Sequence, residues 1–100
     1  MMRNARVDAN QPETVKAFRD LGWSVLIISQ LKNCCDLVIS KEGYTMLIEV
    51  KDGNKPPSAQ KLTEGESKFF STWKGDWKIV TSIDDVIKIN QSLPWLAAHQ

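Results

Sequence analysis

Three charged side chains, those of Asp36, Glu49 and Lys51, interrupt a stretch that otherwise has the composition of two β-strands. Because side chains alternate between the two faces of a strand, Glu49 and Lys51 in the second strand point to the same face. A hairpin that turns at residues 42 and 43 would bring Asp36, at the start of the first strand, to the same end of the sheet. Two carboxylates beside an ammonium group form a potential site for a hard divalent cation.

Hydrolysis of a phosphodiester is one reaction that such a site could perform. A divalent cation neutralises charge on the phosphate oxygens and lowers the pKa of a bound water, and Lys51 could orient the water, deprotonate it or stabilise the developing charge. The same side chains also have a structural interpretation, since charges on a sheet edge form solvated ion pairs or discourage pairing with other strands. The spacing of the three residues leaves both interpretations open.

The sequence on either side of this stretch predicts the elements that would position it. A first helix begins at Asn10, the candidate N-cap, with Glu13 three residues later in the capping-box position, and it ends at Gly22. Residues 23–29 (WSVLIIS) are rich in β-branched side chains and predict a strand buried on both faces.

A loop of residues 52–60 follows the hairpin, because its two consecutive prolines disfavour regular structure. Thr63 and Glu66 then form a second capping box at the start of a helix. Residues 77–81 predict a fourth strand, and Ser82 caps a last helix. The order α-β-β-β-α-β-α predicts an α/β fold with a mixed central β-sheet flanked by helices on both faces.

Length and composition predict one domain over residues 1–100, with a core of about residues 10–90 and a tail of residues 92–100. The net charge of +1 argues against a polybasic binding protein. No apolar run approaches the ~20 residues that span a bilayer, so no membrane partner is expected. The first residues lack the apolar segment of a signal peptide, which favours a cytoplasmic protein with reduced thiols at Cys34 and Cys35.

A longer string around the charged residues resembles the PD-(D/E)xK nuclease superfamily. Within that superfamily the chain is similar to small phage and prophage nucleases of the VRR-NUC type, which are related to Holliday-junction resolvases. The resemblance covers about residues 3–90. Its matching pieces are RVDANQ at 6–11, DLV at 36–38, LIEVKDG at 47–53, KPPS at 55–58, LT at 62–63 with Glu66, and Trp73 with Gly75.

The resemblance implies a restriction-endonuclease-like core and a Mg²⁺-dependent endodeoxyribonuclease, in which Mn²⁺ can substitute. It implies branched or structured DNA as the substrate, a homodimer, and a bacterial or phage-infected cell as the location. The implied metal ligands are Asp36, Glu49 and the carbonyl of Val50, and Lys51 is implied as catalytic.

The resemblance implies further site residues whose roles have alternative explanations. Glu13 corresponds to an additional acidic residue of the family, although its capping-box position accounts for it equally well. The family's helix residue after the lysine is Glu66 by position or Gln60 by residue type. Candidate DNA contacts are Arg6, Lys55, Ser58, Gln60 and Lys61, and the lysines among them have an ordinary alternative as solvated surface residues.

Two further functions remain open, and one of them is motivated by a departure from the family pattern. The family usually has a glycine and a proline just before the aspartate, where this chain has Asn33, Cys34 and Cys35. This difference motivates the alternative of a catalytically silent DNA-binding module on the same fold. If the charges are only solvated surface, the alternative is a small protein-interaction subunit with its apolar tail as the contact.

Overall fold

The computed structural model describes residues 10–92 and contains three α-helices and a four-stranded sheet. The helices are α1 (Gln11–Asp20), α2 (Glu64–Thr72) and α3 (Ile83–Gln91). The strands are β1 (Ser24–Ile27), β2 (Leu37–Lys41), β3 (Tyr44–Val50) and β4 (Asp76–Val80), and a 3-10 helix spans Pro57–Gln60. The predicted α/β class is therefore confirmed, whereas Arg6 and the apolar part of the predicted tail lie outside the described residues.

The sheet is mixed, with the strands in the order β1-β2-β3-β4. The first three strands pair antiparallel, and β4 pairs parallel to β3 after the crossover through α2. The turn of the central hairpin falls at Glu42 and Gly43, as the sequence predicts, and both have positive φ, 51° and 85°. Two left-handed residues match the twist of a two-residue hairpin, so this turn fixes the register of β2 against β3.

Helices cover both faces of the sheet. On one face, α1 and α3 bury a large apolar cluster that includes Phe18, Ile48 and Val86, each 0% exposed. On the other face, α2 places Phe70 against Trp77, with ring centroids 4.2 Å apart and nearly parallel. Because Ile48 belongs to the first face, its neighbour Glu49 in β3 points to the face of α2.

Two local predictions are wrong. The first strand is not buried on both faces, because β1 is an edge strand with Leu26 64% and Ile27 47% exposed. Asn10 occupies the N-cap position of α1, but its side chain makes no capping hydrogen bond, so no capping box forms with Glu13. By contrast, the predicted capping box of Thr63 and Glu66 is present at the start of α2.

Within residues 10–92, no helix is both long enough and apolar enough to cross a lipid bilayer. Each of the three helices buries apolar side chains: Val15 and Phe18 in α1, Phe70 in α2, and Val86 and Ile89 in α3.

Close packing at Gly53 gives a first testable prediction. A Cβ atom at this position would lie 2.6 Å from the carbonyl oxygen of Thr81, which is backbone and cannot turn away. We expect Gly53→Ala to lower the free energy of unfolding by about 1–3 kcal/mol, measured by urea denaturation. Gly75→Ala is the matched control, because its Cβ would meet only the movable side chain of Trp73, and an equal loss in both variants would contradict the prediction.

Candidate functional site

The end of the central hairpin fixes the orientation of Asp36. Its main-chain N–H donates to the carbonyl of Ile48 over 3.1 Å, and its carboxylate Oδ2 accepts a 2.7 Å hydrogen bond from the N–H of Val50. These two bonds tie the residue that precedes β2 to the last residues of β3. The carboxylate of Asp36 is therefore held beside the strand that carries Glu49 and Lys51.

The ammonium group of Lys51 lies between two carboxylates. Its Nζ is 2.9 Å from Oε1 of Glu66 and 3.4 Å from Oε2 of Glu49. The side chains of Lys51 and Glu49 are only 12% and 5% exposed, so this is not a solvated surface pair. Glu66 Oε1 also accepts from the N–H of Thr63 over 2.9 Å, and the capping box of α2 thus positions the partner of Lys51.

These side chains line one open cavity of about 200 Å³, which we call the site cavity. The cavity contains four residues predicted from the sequence: Asp36, Glu49, Lys51 and Glu66. The other lining residues are Ser29, Leu31, Asn33, Cys34, Cys35 and Thr63. Most of them belong to the loop between β1 and β2, whose irregular sequence gave no periodic signal that could have assigned them to a site.

The site cavity has an excess of negative charge. Burial raises the pKa of Glu49 to about 9, and the neighbouring carboxylates of Asp36 and Glu66 contribute to the same shift. Burial lowers the pKa of Lys51, but its bonds to Glu66 and Glu49 outweigh this effect and the net shift is upward. The pKa of Glu66 is lowered, because the hydrogen bonds from Thr63 and Lys51 outweigh the raising effect of burial. In the metal-free protein, Glu49 is therefore protonated near neutral pH while Lys51 carries its charge.

The loop that contains Asn33, Cys34 and Cys35 packs closely on α2. Asn33 adopts a left-handed conformation with φ of 51°, and a Cβ atom at Gly65 in α2 would overlap its side chain. Both cysteines are free. Burial, with a contribution from Cys34, raises the pKa of the Cys35 thiol to about 12, and its Sγ donates to the carbonyl of Leu37. Cys35 is thus a buried thiol in the wall of the site cavity.

The structure does not bring Glu13 into the site cavity. Glu13 is exposed and lines a separate cavity of about 330 Å³, together with Asn10 and Thr81 among other residues. The α1 residue Gln11, which is 3% exposed, contacts the lining of the site cavity, since its Nε2 donates to Oγ of Ser29 over 3.4 Å. Gln11 is part of the matching string RVDANQ, but its neutral amide gave no charge signal that would have assigned it to the site.

The candidate DNA contacts lie on the loop and the 3-10 helix that follow Lys51. Lys55, Ser58 and Lys61 are exposed. Gln60 instead donates to the carbonyl of Lys55 over 2.7 Å and to that of Gly53 over 3.2 Å, so it closes the loop. Of the two alternatives for the helix residue, Glu66 lines the site cavity and Gln60 does not.

The donor set fits a hard divalent cation that keeps several water ligands. Among the residues that the structure describes, no group of three or more His, Cys, Asp or Glu side chains is arranged to hold a metal ion. Mg²⁺, however, is often bound through one or two carboxylates and retains waters, and Asp36 and Glu49 provide two in one cavity. A cation bound by Asp36 and Glu49 would favour the ionised form of Glu49 and so oppose the burial and the neighbouring carboxylates that raise its pKa.

Comparison of the whole chain with models of protein families, with curated proteins and with solved structures finds no match. In the site cavity, the carboxyl groups of Asp36, Glu49 and Glu66 and the charged amine of Lys51 lie together and open to solvent.

Proposed function

We propose that this chain is a metal-dependent DNA endonuclease that hydrolyses phosphodiester bonds, with a PD-(D/E)xK type of site. The observation that carries the proposal is the meeting of Asp36, Glu49 and Lys51 in one cavity, with Glu49 buried among other carboxylates. A structural ion pair would balance its charges, whereas this cluster has three acidic side chains, those of Asp36, Glu49 and Glu66, for the one ammonium group of Lys51. An excess of carboxylates in a solvent-accessible cavity is what a divalent cation requires.

Bound at Asp36 and Glu49, with the Val50 carbonyl as a further candidate ligand, Mg²⁺ or Mn²⁺ would supply charge neutralisation and a water of lowered pKa. The chain's own contribution starts with Asp36, whose carboxylate is oriented by the N–H of Val50. Lys51 remains an ammonium ion because Glu66 and Glu49 raise its pKa. This favours roles in orienting the water and stabilising charge on the phosphate over a role in removing a proton.

Binding of DNA would use the exposed segment that leaves the site directly after Lys51. Lys55 and Lys61 present point charges for phosphate groups, and the hydroxyl of Ser58 is exposed between them. We propose branched or structured DNA as the substrate and a homodimer as the active form, because a two-fold dimer places two sites on one substrate. A cytoplasmic location in a bacterial or phage-infected cell belongs to the same proposal.

The test is a cleavage panel with linear, flapped, cruciform and single-stranded DNA in the presence of Mg²⁺, Mn²⁺ or EDTA. We expect cleavage of flapped or cruciform DNA with either metal and none with EDTA. Binding of DNA without cleavage under any metal would refute the enzyme and favour a silent DNA-binding module. Failure to bind any of these DNAs would instead favour a protein-interaction subunit.

A further inference from the structure

Asn10, the residue before α1, does not follow the usual pattern of hydrogen bonding at the start of a helix. Asn10 stands at the N-cap of α1, where an asparagine side chain normally accepts a hydrogen bond from the first turn. Here it makes no such bond. Its side-chain Nδ2 instead donates to the carbonyl of Lys51 over 2.9 Å and lies 3.5 Å from that of Thr81. A residue that gives up a favourable local interaction for a distant one is a candidate for a functional role.

The distant contact holds the main chain at the proposed catalytic lysine. Lys51 follows the last residue of β3 and lies beyond the regular pairing of β3 with β2 and β4. Its N–H donates to the carbonyl of Val80 over 2.9 Å, and its carbonyl accepts from Asn10. The main chain of Lys51 is thus held by β4 and by α1, while its side chain is held by Glu49 and Glu66.

The chemistry at Asn10 requires an amide. Two carbonyl oxygens, those of Lys51 and Thr81, converge on Nδ2, so only a donor fits at that position. The other side-chain atom, Oδ1, is buried without a hydrogen-bond partner among the described residues. A rotation of the amide by 180° would exchange Oδ1 and Nδ2, and Oδ1 would then face the carbonyl oxygens of Lys51 and Thr81. The side chain therefore keeps its donor on Lys51 although its acceptor has no partner within residues 10–92, which is an unfavourable arrangement for a residue with only a local role.

We propose that Asn10 is a positioning residue. It holds the main chain of Lys51 in place through its hydrogen bond to the Lys51 carbonyl. The catalytic part of this inference rests on the proposed nuclease function. The effect of Asn10 on the placement of the Lys51 side chain does not depend on that function and can be measured without DNA. Since a displacement of about 1 Å at a catalytic group can cost up to ~100-fold in rate, a single main-chain hydrogen bond at this residue is sufficient to affect turnover.

Two variants separate positioning from helix capping. Asn10→Asp keeps the shape of the side chain and is as good an N-cap as asparagine, but it cannot donate to a carbonyl. Asn10→Ala removes the donor without adding a charge, and it loses no capping bond because none is present. Asn54→Asp, at an exposed asparagine in the loop after Lys51, is the matched control for the change of charge.

The first readout is the accessibility of Lys51 in the metal-free full-length chain, measured by limited acetylation and mass spectrometry. Lys16, whose side chain is 77% exposed, is the internal reference for the 12% exposed Lys51. We expect both Asn10 variants to raise the acetylation of Lys51 several-fold relative to Lys16, and Asn54→Asp to leave it unchanged. Unchanged acetylation of Lys51 in both variants, or an increase in Asn10→Asp alone, would overturn the proposal.

The second readout is cleavage of the best substrate of the panel. We expect kcat to fall by about 10- to 30-fold in both Asn10 variants, with KM for DNA unchanged. Melting temperatures show whether either variant is globally destabilised, and a fall in kcat that only follows a fall in melting temperature would overturn the positioning role. If the parent chain cleaves no DNA, the proposed function fails, and the acetylation result still decides whether Asn10 holds Lys51.

Discussion

Glu49→Gln is expected to abolish metal-dependent DNA cleavage, with a loss of at least about 1000-fold in kcat/KM. Glutamine has the same shape but no charge, so it removes one of two carboxylates that would hold the cation. The loss is expected with both Mg²⁺ and Mn²⁺ and with every DNA that the parent chain cleaves. The measurement is single-turnover cleavage with the variant in excess over labelled DNA.

The same substitution is expected to leave the protein folded, because Glu49 in the metal-free chain is already neutral near pH 7. Glu64→Gln is the matched control, since Glu64 lies in the first turn of α2, near Glu66 in sequence, but is exposed and outside the site cavity. Full activity in Glu49→Gln would show that the charge of Glu49 has no catalytic role, and an equal loss in Glu64→Gln would show that the loss is not specific to Glu49.

The stability of the metal-free protein is expected to fall as the pH rises from 5 to 9. Glu49 has a pKa of about 9 in the folded chain and an ordinary value of 4.5, so between these values the folded state holds a proton that the unfolded state has released. Stability therefore falls with rising pH in this window. We expect a decrease on the order of 2 kcal/mol between pH 5 and pH 8, measured by urea denaturation in EDTA.

The other shifted groups titrate outside that window. The Cys35 thiol and the Tyr44 hydroxyl, whose pKa values are raised to about 12, affect stability above pH 9. The lowered pKa of Glu66 affects it below about pH 4.5. Glu49→Gln is accordingly expected to remove most of the pH dependence between 5 and 8 and to be more stable than the parent chain at pH 8. A parent chain whose stability is constant or rises over this range would contradict the assignment.

Adding Mg²⁺ at pH 8 is the complementary arm of this measurement. A cation that binds only the folded state raises the free energy of unfolding by mass action, and it favours the ionised form of Glu49. We expect the urea midpoint of the parent chain to rise with Mg²⁺ at pH 8 and that of Glu49→Gln to stay the same. An equal rise in both proteins would place the cation elsewhere.

The sequence alone determined the parts of the fold that depend on neighbouring residues. Glu42 and Gly43 predict the hairpin because a two-residue turn needs left-handed conformations, and Thr63 with Glu66 predicts the start of α2 because both partners of a capping box lie within one turn. Alternation in β3 likewise predicts that Glu49 and Lys51 share a face. These are local rules of geometry, and distant packing did not override them here.

Only the tertiary structure decided what the ends of these elements contact. Asn10 has the sequence of an N-cap, yet its side chain reaches Lys51, 41 residues away, because the end of β3 presents a carbonyl there. The packing of α1 on the rest of the chain likewise decides that Glu13 lines a separate cavity, while the neutral Gln11 lies beside Ser29 at the site cavity. The sequence also does not specify whether β1 has one neighbouring strand or two. Its apolar residues suggested burial on both faces, whereas the structure places β1 at the edge of the sheet. Local sequence specifies which backbone conformation a segment adopts, but the protonation of Glu49 and the partners of Lys51 depend on charges and burial that form only when distant segments pack together.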